Sequence, residues 1–210
     1  IQDMNKLVVK IQREVKEFPN LILQIGLNFR IEGVDKTKEI SEGKYDKELN
    51  KLLKVIKDFS NPVFIRIGYE FDKAGKYNPE NFVKAWKHFV DKYRKEKINN
   101  IANVWCACPY KGTAPVEPYY PGDDHVDWFG IDVFTEKHFA NSSNKQTENF
   151  LKLAKKHKKP FVVYVFSYDH TYNEEDFDDM NNLQIVKPIP EVILNIYHKI
   201  YKEIRKPKRI

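Results

Sequence analysis

Pro62-Val-Phe-Ile-Arg-Ile-Gly-Tyr-Glu-Phe-Asp72 decides how this chain is read. A strand covered on both faces is nearly continuous in apolar residues, and Val63 to Ile67 fits that pattern apart from Arg66. A charge inside a buried strand needs a partner, so Arg66 calls for a carboxylate from elsewhere in the fold. Strand alternation puts Phe64, Arg66, Gly68 and Glu70 on one face, which would be the inside of a barrel. In barrels of alternating strands and helices, catalytic carboxylates sit where strands end, and Glu70 stands at such an end.

Working outward, helical and strand periods alternate. Met4, Leu7, Val8, Ile11, Val15 and Phe18 predict a helix over 3–18, and residues 21–29 a strand. Tyr45 to Phe59 is helical. Asn78-Pro79-Glu80 has the cap, the first-turn proline and the early acid of a helix start, and Phe82 to Tyr93 supply its buried face. Residues 101–108, 126–134 and 161–167 are further strands, and Thr147 is expected to cap a helix that runs to His157. Leu183 to Val186 is a sixth strand candidate, and Pro190 opens a last helix. The pattern predicts one α/β domain over 1–210, with five neighbouring parallel strands in one sheet. A closed barrel wants eight strands. The sheet is therefore expected to be open beside residues 21–29, with that edge covered by another chain or a segment elsewhere.

Composition narrows the function. The chain is 41% hydrophobic and 14% aromatic, enough for a globular core over 210 residues. The formal charge of +6 raises nucleic acid as a partner. The positive charges are spread among acids along the helices, and Arg205 to Arg209 is the single dense cluster, so no nucleic-acid partner is expected. No run is apolar enough to span a membrane and none resembles a leader. Cys106 and Cys108, two apart on one strand, lie about 6.5–7 Å apart at Cα, at the limit for a disulfide, and are expected to be free thiols. The Asn141-Ser142-Ser143 sequon is weak support for secretion.

Glycine-rich nucleotide loops, Gly-x-Ser-x-Gly and His-Glu-x-x-His are absent, which leaves carboxylate chemistry. Gly43-Lys-Tyr-Asp46, then Pro62 to Asp72, then Asn103-Val-Trp105, then Tyr119-Tyr-Pro-Gly-Asp-Asp-His-Val-Asp-Trp-Phe-Gly-Ile-Asp132, then Lys159-Pro160 follow one another in order. This series resembles the glycoside hydrolase family 26 group of β-mannanase-like enzymes, over most of residues 5–200. The resemblance implies a TIM-type (β/α)8 barrel, incomplete here because its first two strands and its seventh-to-eighth region are abbreviated. It implies retaining hydrolysis of a β-linked polysaccharide such as mannan, no cofactor, and an extracellular or secretory location. It places the acid/base at Glu70. The family nucleophile, a Glu at the end of the seventh barrel strand, falls on Val165, which cannot attack an anomeric carbon. The alternative reading is an inactive carbohydrate-binding or structural protein on a degenerate glycosidase barrel.

Each site residue has a plainer role beside its functional one. Glu70 serves equally as a salt-bridged carboxylate at a strand end. Arg66 is read as a buried structural partner, with Asp132 its candidate counter-ion. Tyr69, Tyr110, Tyr119, Tyr120, Trp128 and Phe134 lie on or after strand ends, where sugar rings stack on aromatics; an aromatic-rich chain also places some there by chance. Asp123, Asp124, His125 and Asp127 resemble a metal cluster but read better as a loop and strand start, so no metal is expected. Asp169, Glu174 and Glu175 fall in an acidic stretch read as solvated.

Overall fold

The computed structural model describes residues 3–18, 20, 22–108, 114–133, 145–165 and 183–185. The elements along them are α1 (Met4–Glu17), β1 (Leu23–Leu27), β2 (Arg30–Ile31), β3 (Val34–Asp35), α2 (Thr37–Ser41), α3 (Asp46–Lys57), β4 (Val63–Ile67), α4 (Pro79–Lys95), β5 (Ile101–Ala107), β6 (Trp128–Val133), α5 (Lys145–Lys156), β7 (Phe161–Val165) and β8 (Leu183–Ile185). Two short 3₁₀ turns, Glu117–Tyr119 and Asp123–His125, lead into β6.

The five apolar strands form one sheet in the order β1-β4-β5-β6-β7, every neighbouring pair parallel. This is the arrangement expected from the repeated strand and helix periods. The alternation of each strand then sorts its side chains onto two faces. Leu23, Ile25 and Leu27 of β1, Val63, Ile65 and Ile67 of β4, Trp105 and Ala107 of β5, and Phe129, Ile131 and Val133 of β6 all join the main core with the helices. The other face is smaller and different in kind: Tyr69, Val104, Cys106 and Tyr164 cluster there, with Phe64, Trp128 and Val162 against them. Gly130 lies on this face too, where a Cβ would stand 2.9 Å from Val104 and 3.0 Å from Tyr164.

Helix starts follow local chemistry. Asn78 accepts from the Asn81 backbone N–H at 3.0 Å and Pro79 occupies the first turn, so α4 begins where its cap predicts. Thr147 is different: α5 starts at Lys145, so Thr147 lies inside the first turn and does not cap the helix. The β2–β3 hairpin and α2 carry no strong period. Glu32 and Gly33 both take positive φ, 50° and 75°, which closes a two-residue hairpin. Asp35 Oδ1 accepts from the Thr37 N–H at 2.9 Å and from its hydroxyl at 2.7 Å, which starts α2.

The expectation of a gap beside β1 is corrected. Leu183–Ile185 pairs antiparallel with β1, Leu23 opposite Ile185 and Ile25 opposite Leu183. A buried strand edge leaves unpaired N–H and C=O groups, and the chain itself supplies their partners. The sheet is not closed among the described residues: its order runs from β7 to β8.

Gly68 ends β4. Its φ is +54°, and a Cβ there would lie 2.5 Å from Phe82 Cε2. Gly68→Ala is expected to lower the unfolding free energy by roughly 2–4 kcal/mol, from the left-handed backbone and the overlap with Phe82 together. Urea titration checks this, and an unchanged midpoint would contradict the geometry.

Candidate active site

The turn after β4 lies across the ends of both neighbouring strands. Gly68 N–H donates to the Leu27 carbonyl at 2.7 Å, and Glu70 N–H donates to the Cys106 carbonyl at 2.8 Å. Glu70 itself has φ of +52°. A left-handed conformation is uncommon for a non-glycine residue, and such strain gathers at functional sites. It also corrects the expected alternation: the extended backbone stops at Ile67, so Glu70 is aimed by the turn and not by the strand period. Phe71 anchors the turn from below, stacked on Trp105 with centroids 4.7 Å apart and tilted against Phe82 and Tyr119. Glu70 is only 7% exposed, and its Oε2 is 2.6 Å from the Lys73 ammonium.

On the smaller face of the sheet, Arg66 and Asp132 form a buried ion pair. The Arg66 guanidinium lies 4.8 Å from the Tyr69 centroid and 4.5 Å from that of Tyr164. The Cys106 thiol donates to Asp132 Oδ1 at 3.2 Å. Burial is the largest influence on Arg66 and opposes its charge, but Asp132, with Cys106 and Tyr164 adding to it, holds the guanidinium above its ordinary value. Burial pushes the Asp132 carboxyl up to about 6; Arg66 draws it back and the charge of Glu70 adds to the rise.

Asp72, fully buried, bonds to both Cys108 and Ala114. Its Oδ1 accepts from the Cys108 N–H at 2.8 Å, and its carbonyl accepts from the Ala114 N–H at 2.7 Å. Its Oδ2 has no hydrogen-bond partner, and burial raises the carboxyl to about 6. Lys76 returns to the same turn, donating to the Tyr69 carbonyl at 2.6 Å.

Arg66, Tyr69, Glu70 and Asp132 are therefore brought together. The other aromatics within the described residues, Tyr119, Tyr120 and Trp128, are dispersed. Tyr119 is buried in the helix-side core, its hydroxyl donating to the Tyr77 carbonyl at 3.1 Å. Tyr120 packs on that side against Trp105 and Phe129 and donates to Asp123 at 2.6 Å. Trp128 opens β6 and meets Phe64 edge to face, at the amino-terminal end of the strands, opposite the end that carries Glu70. Tyr110, Phe134, Asp169, Glu174 and Glu175 lie outside the described residues. Asp123 pairs with His157 at 2.7 Å, His125 with Asp91 at 3.2 Å, and Asp127 accepts from the Asn103 N–H at 2.8 Å, so the acidic cluster is divided among separate contacts. Cys106 and Cys108 are free and buried. Tyr164, Lys73 and Lys76 join Arg66, Tyr69 and Glu70 although no sequence motif points to them. Alternation on β7 could have placed Tyr164 beside Arg66; the two lysines sit in a turn with no period to read.

With this geometry in view, likeness to known proteins becomes informative. Residues 44–181 match the model for glycosyl hydrolase family 26. Two curated relatives are 26% identical: the β-1,3-xylanase TXYA of a Vibrio species, over 70% of this chain and 31% of that protein, and a β-1,3-xylanase of an Alcaligenes species, over 68% and 29%. Among solved structures, the catalytic domain of a Bacillus sp. JAMB-750 endo-β-1,4-mannanase matches with TM-score 0.56 and 19% identity, over 86% of this chain and 56% of that one. A family 26 β-mannanase from Bacteroides ovatus matches with TM-score 0.52 and 17% identity, over 78% and 55%. The chain belongs to glycosyl hydrolase family 26. Its fold is of the TIM-barrel class, open among the described residues, and it spans about a third of the length of the curated relatives it matches.

Removing Arg66 would strand Asp132 as a buried, unpaired charge. Arg66→Met is expected to cost about 3–5 kcal/mol of stability, and the double variant Arg66→Met/Asp132→Leu to recover most of it. Denaturant midpoints read both, and a single variant as stable as the double would overturn the pairing.

The raised carboxyls set a pH dependence. A carboxyl raised in the folded state contributes stability that is fully present below about pH 4 and is lost as pH rises through about 6. Unfolding free energy should therefore fall between pH 4 and 6, by on the order of 1–3 kcal/mol for Asp72. Asp72→Asn should flatten that fall, and Asp132 should supply what remains. A wild-type stability that climbs over this window would refute the assignment.

Proposed function

We propose that this chain carries the acid/base part of a retaining β-glycosidase site, with Glu70 as the residue that protonates the leaving oxygen and then activates water. One observation carries the reading. Glu70 is a nearly buried carboxylate held in left-handed backbone at the carboxyl end of β4, within a family 26 barrel fold. The Glu70–Lys73 contact is the one a glycosidic oxygen would displace on binding. Arg66, engaged by Asp132 and flanked by Tyr69 and Tyr164, stays charged in its ion pair and takes no proton itself.

The substrate is a β-linked polysaccharide. The two curated relatives are β-1,3-xylanases, while the mannanases are alike in fold alone, so β-1,3-xylan is the first substrate to assay and mannan the second. Glycan binding and a secreted location belong to the same proposal.

A retaining enzyme needs a second carboxylate about 5–5.5 Å from the first. The sequence position that would supply it is Val165, the last residue of β7, paired with Val133. This favours a second reading, in which the chain binds a β-glycan without cleaving it.

Glu70→Gln separates the two. If the chain turns over substrate, the variant should lose roughly 10²–10⁴ in rate on substrates with poor leaving groups, and less on activated aryl glycosides, while still binding glycan. Under the binding-only reading, the native chain holds xylo- or manno-oligosaccharides with no reducing ends released. Turnover that Glu70→Gln leaves untouched would remove Glu70 from the site.

A further inference from the structure

The turn that carries Glu70 has a half-buried cation that the proposed chemistry does not use. Lys76 Nζ donates to the Tyr69 carbonyl at 2.6 Å, the peptide just before Glu70. The same ammonium lies 4.8 Å from the Tyr69 centroid and 5.5 Å from the Tyr77 centroid. Tyr77 is itself fixed to the end of β1: its hydroxyl donates to Asn28 Oδ1 at 2.8 Å and accepts from the Phe29 N–H at 3.3 Å. The Lys76 carbonyl accepts from Arg30 of β2, and its N–H donates to the Lys73 carbonyl at 3.0 Å. Lys76 thus ties the Glu70 turn to a rigid neighbour through one charged atom.

We propose that Lys76 is a positioning residue: its ammonium, seated over the rings of Tyr69 and Tyr77 and bonded to the Tyr69 carbonyl, holds the Glu70 turn in place, and the turn loosens when that charge is lost. The proposal rests on the reading of Glu70 as the functional carboxylate. Both contacts depend on charge. A charge-assisted hydrogen bond is about twice as strong as a neutral one, and the attraction to the aromatic faces vanishes with the proton. Without them no cation holds the Tyr69 carbonyl, and the turn is left to the Gly68 and Glu70 N–H bonds, the Glu70–Lys73 pair and the packing of Phe71 and Tyr69.

The charged and titratable groups facing Lys76 are Glu70 and Lys73 on its own turn, Asp132 of β6, Arg30 of β2, and the hydroxyls of Tyr69 and Tyr77. Burial, aided by Lys73 and Arg30 and opposed by Glu70 and Asp132, lowers the amine to about 8. Lys76 is therefore charged below about pH 8 and neutral above it. Between about 8 and about 10.4 the folded chain binds fewer protons than the unfolded chain, so this group makes the fold more stable as pH rises. The site changes in the opposite sense, losing its tether over the same range. A residue with a merely structural role would move both together.

The test uses the full 210-residue chain with ¹³C-labelled lysine. The wild-type Lys76 Cε resonance should titrate near pH 8, and the Tyr69 amide and Glu70 side-chain resonances should follow the same midpoint. Affinity for β-1,3-xylo-oligosaccharide, and in parallel for manno-oligosaccharide, should fall about tenfold through that midpoint while thermal stability rises. Lys76→Arg should hold affinity up to pH 10, and Lys76→Met should bind about tenfold more weakly at every pH with no midpoint. A Lys76 titration near 10.5, or a midpoint in the Tyr69 and Glu70 resonances that persists in Lys76→Met, would overturn the proposal. Resonances that follow Lys76 in a chain that binds neither oligosaccharide would uphold the positioning role and refute the glycan reading instead.

Discussion

The Arg66–Asp132 pair is the constraint around which the inner face is arranged. Two buried charges are expensive to desolvate, and their attraction repays this only when geometry and further hydrogen bonds are good. The surroundings answer that demand. Tyr69 and Tyr164 present their ring faces to the guanidinium, and the Cys106 thiol donates to the carboxylate. A hydrophobic pair could fill the same volume at equal or lower cost. What it would lack is a fixed polar link between β4 and β6 with β5 between them.

The fold was legible where burial imposes a strong period. Val63 to Ile67, Ile101 to Ala107 and Phe161 to Val165 show their strand character as apolar runs, and the parallel order follows from the helices between them. The β2–β3 hairpin was not legible, because its turn is Glu32-Gly33, and glutamate gives little warning of positive φ. α2 escaped because five residues are too few for a helical period, and its start depends on a local bond to Asp35. The partner of the β1 edge could not be assigned, since three residues at 183–185 carry no register information until they meet Leu23 to Ile25.

At the site, the sequence read the residues with conventional chemistry and passed over those that hold them. Arg66 required a counter-ion by burial alone, and Asp132 on a nearby strand supplies it. A tyrosine after a strand end faces either the sheet interior or the helices, and composition cannot distinguish these; Tyr119 and Tyr120 face the helices, where Phe71, Phe129 and Trp105 receive them. Lys76 and Asp72 act through single polar atoms within a turn, and no repeat announces such contacts.

The antiparallel pairing of β1 with β8 bears on how the chain assembles. Loop closure makes contacts distant in sequence slow to form. Leu23 meets a residue about 160 positions further along the chain, whereas β4, on its other side, follows within a few dozen. At a synthesis rate of roughly 5–20 residues per second, the outer edge of β1 waits on the order of 10–30 s on the ribosome before its partner emerges. During that time a fully buried strand of the finished protein offers a bare row of backbone donors and acceptors, which makes this edge the point in biogenesis where a holding chaperone or a wrong pairing would first intervene.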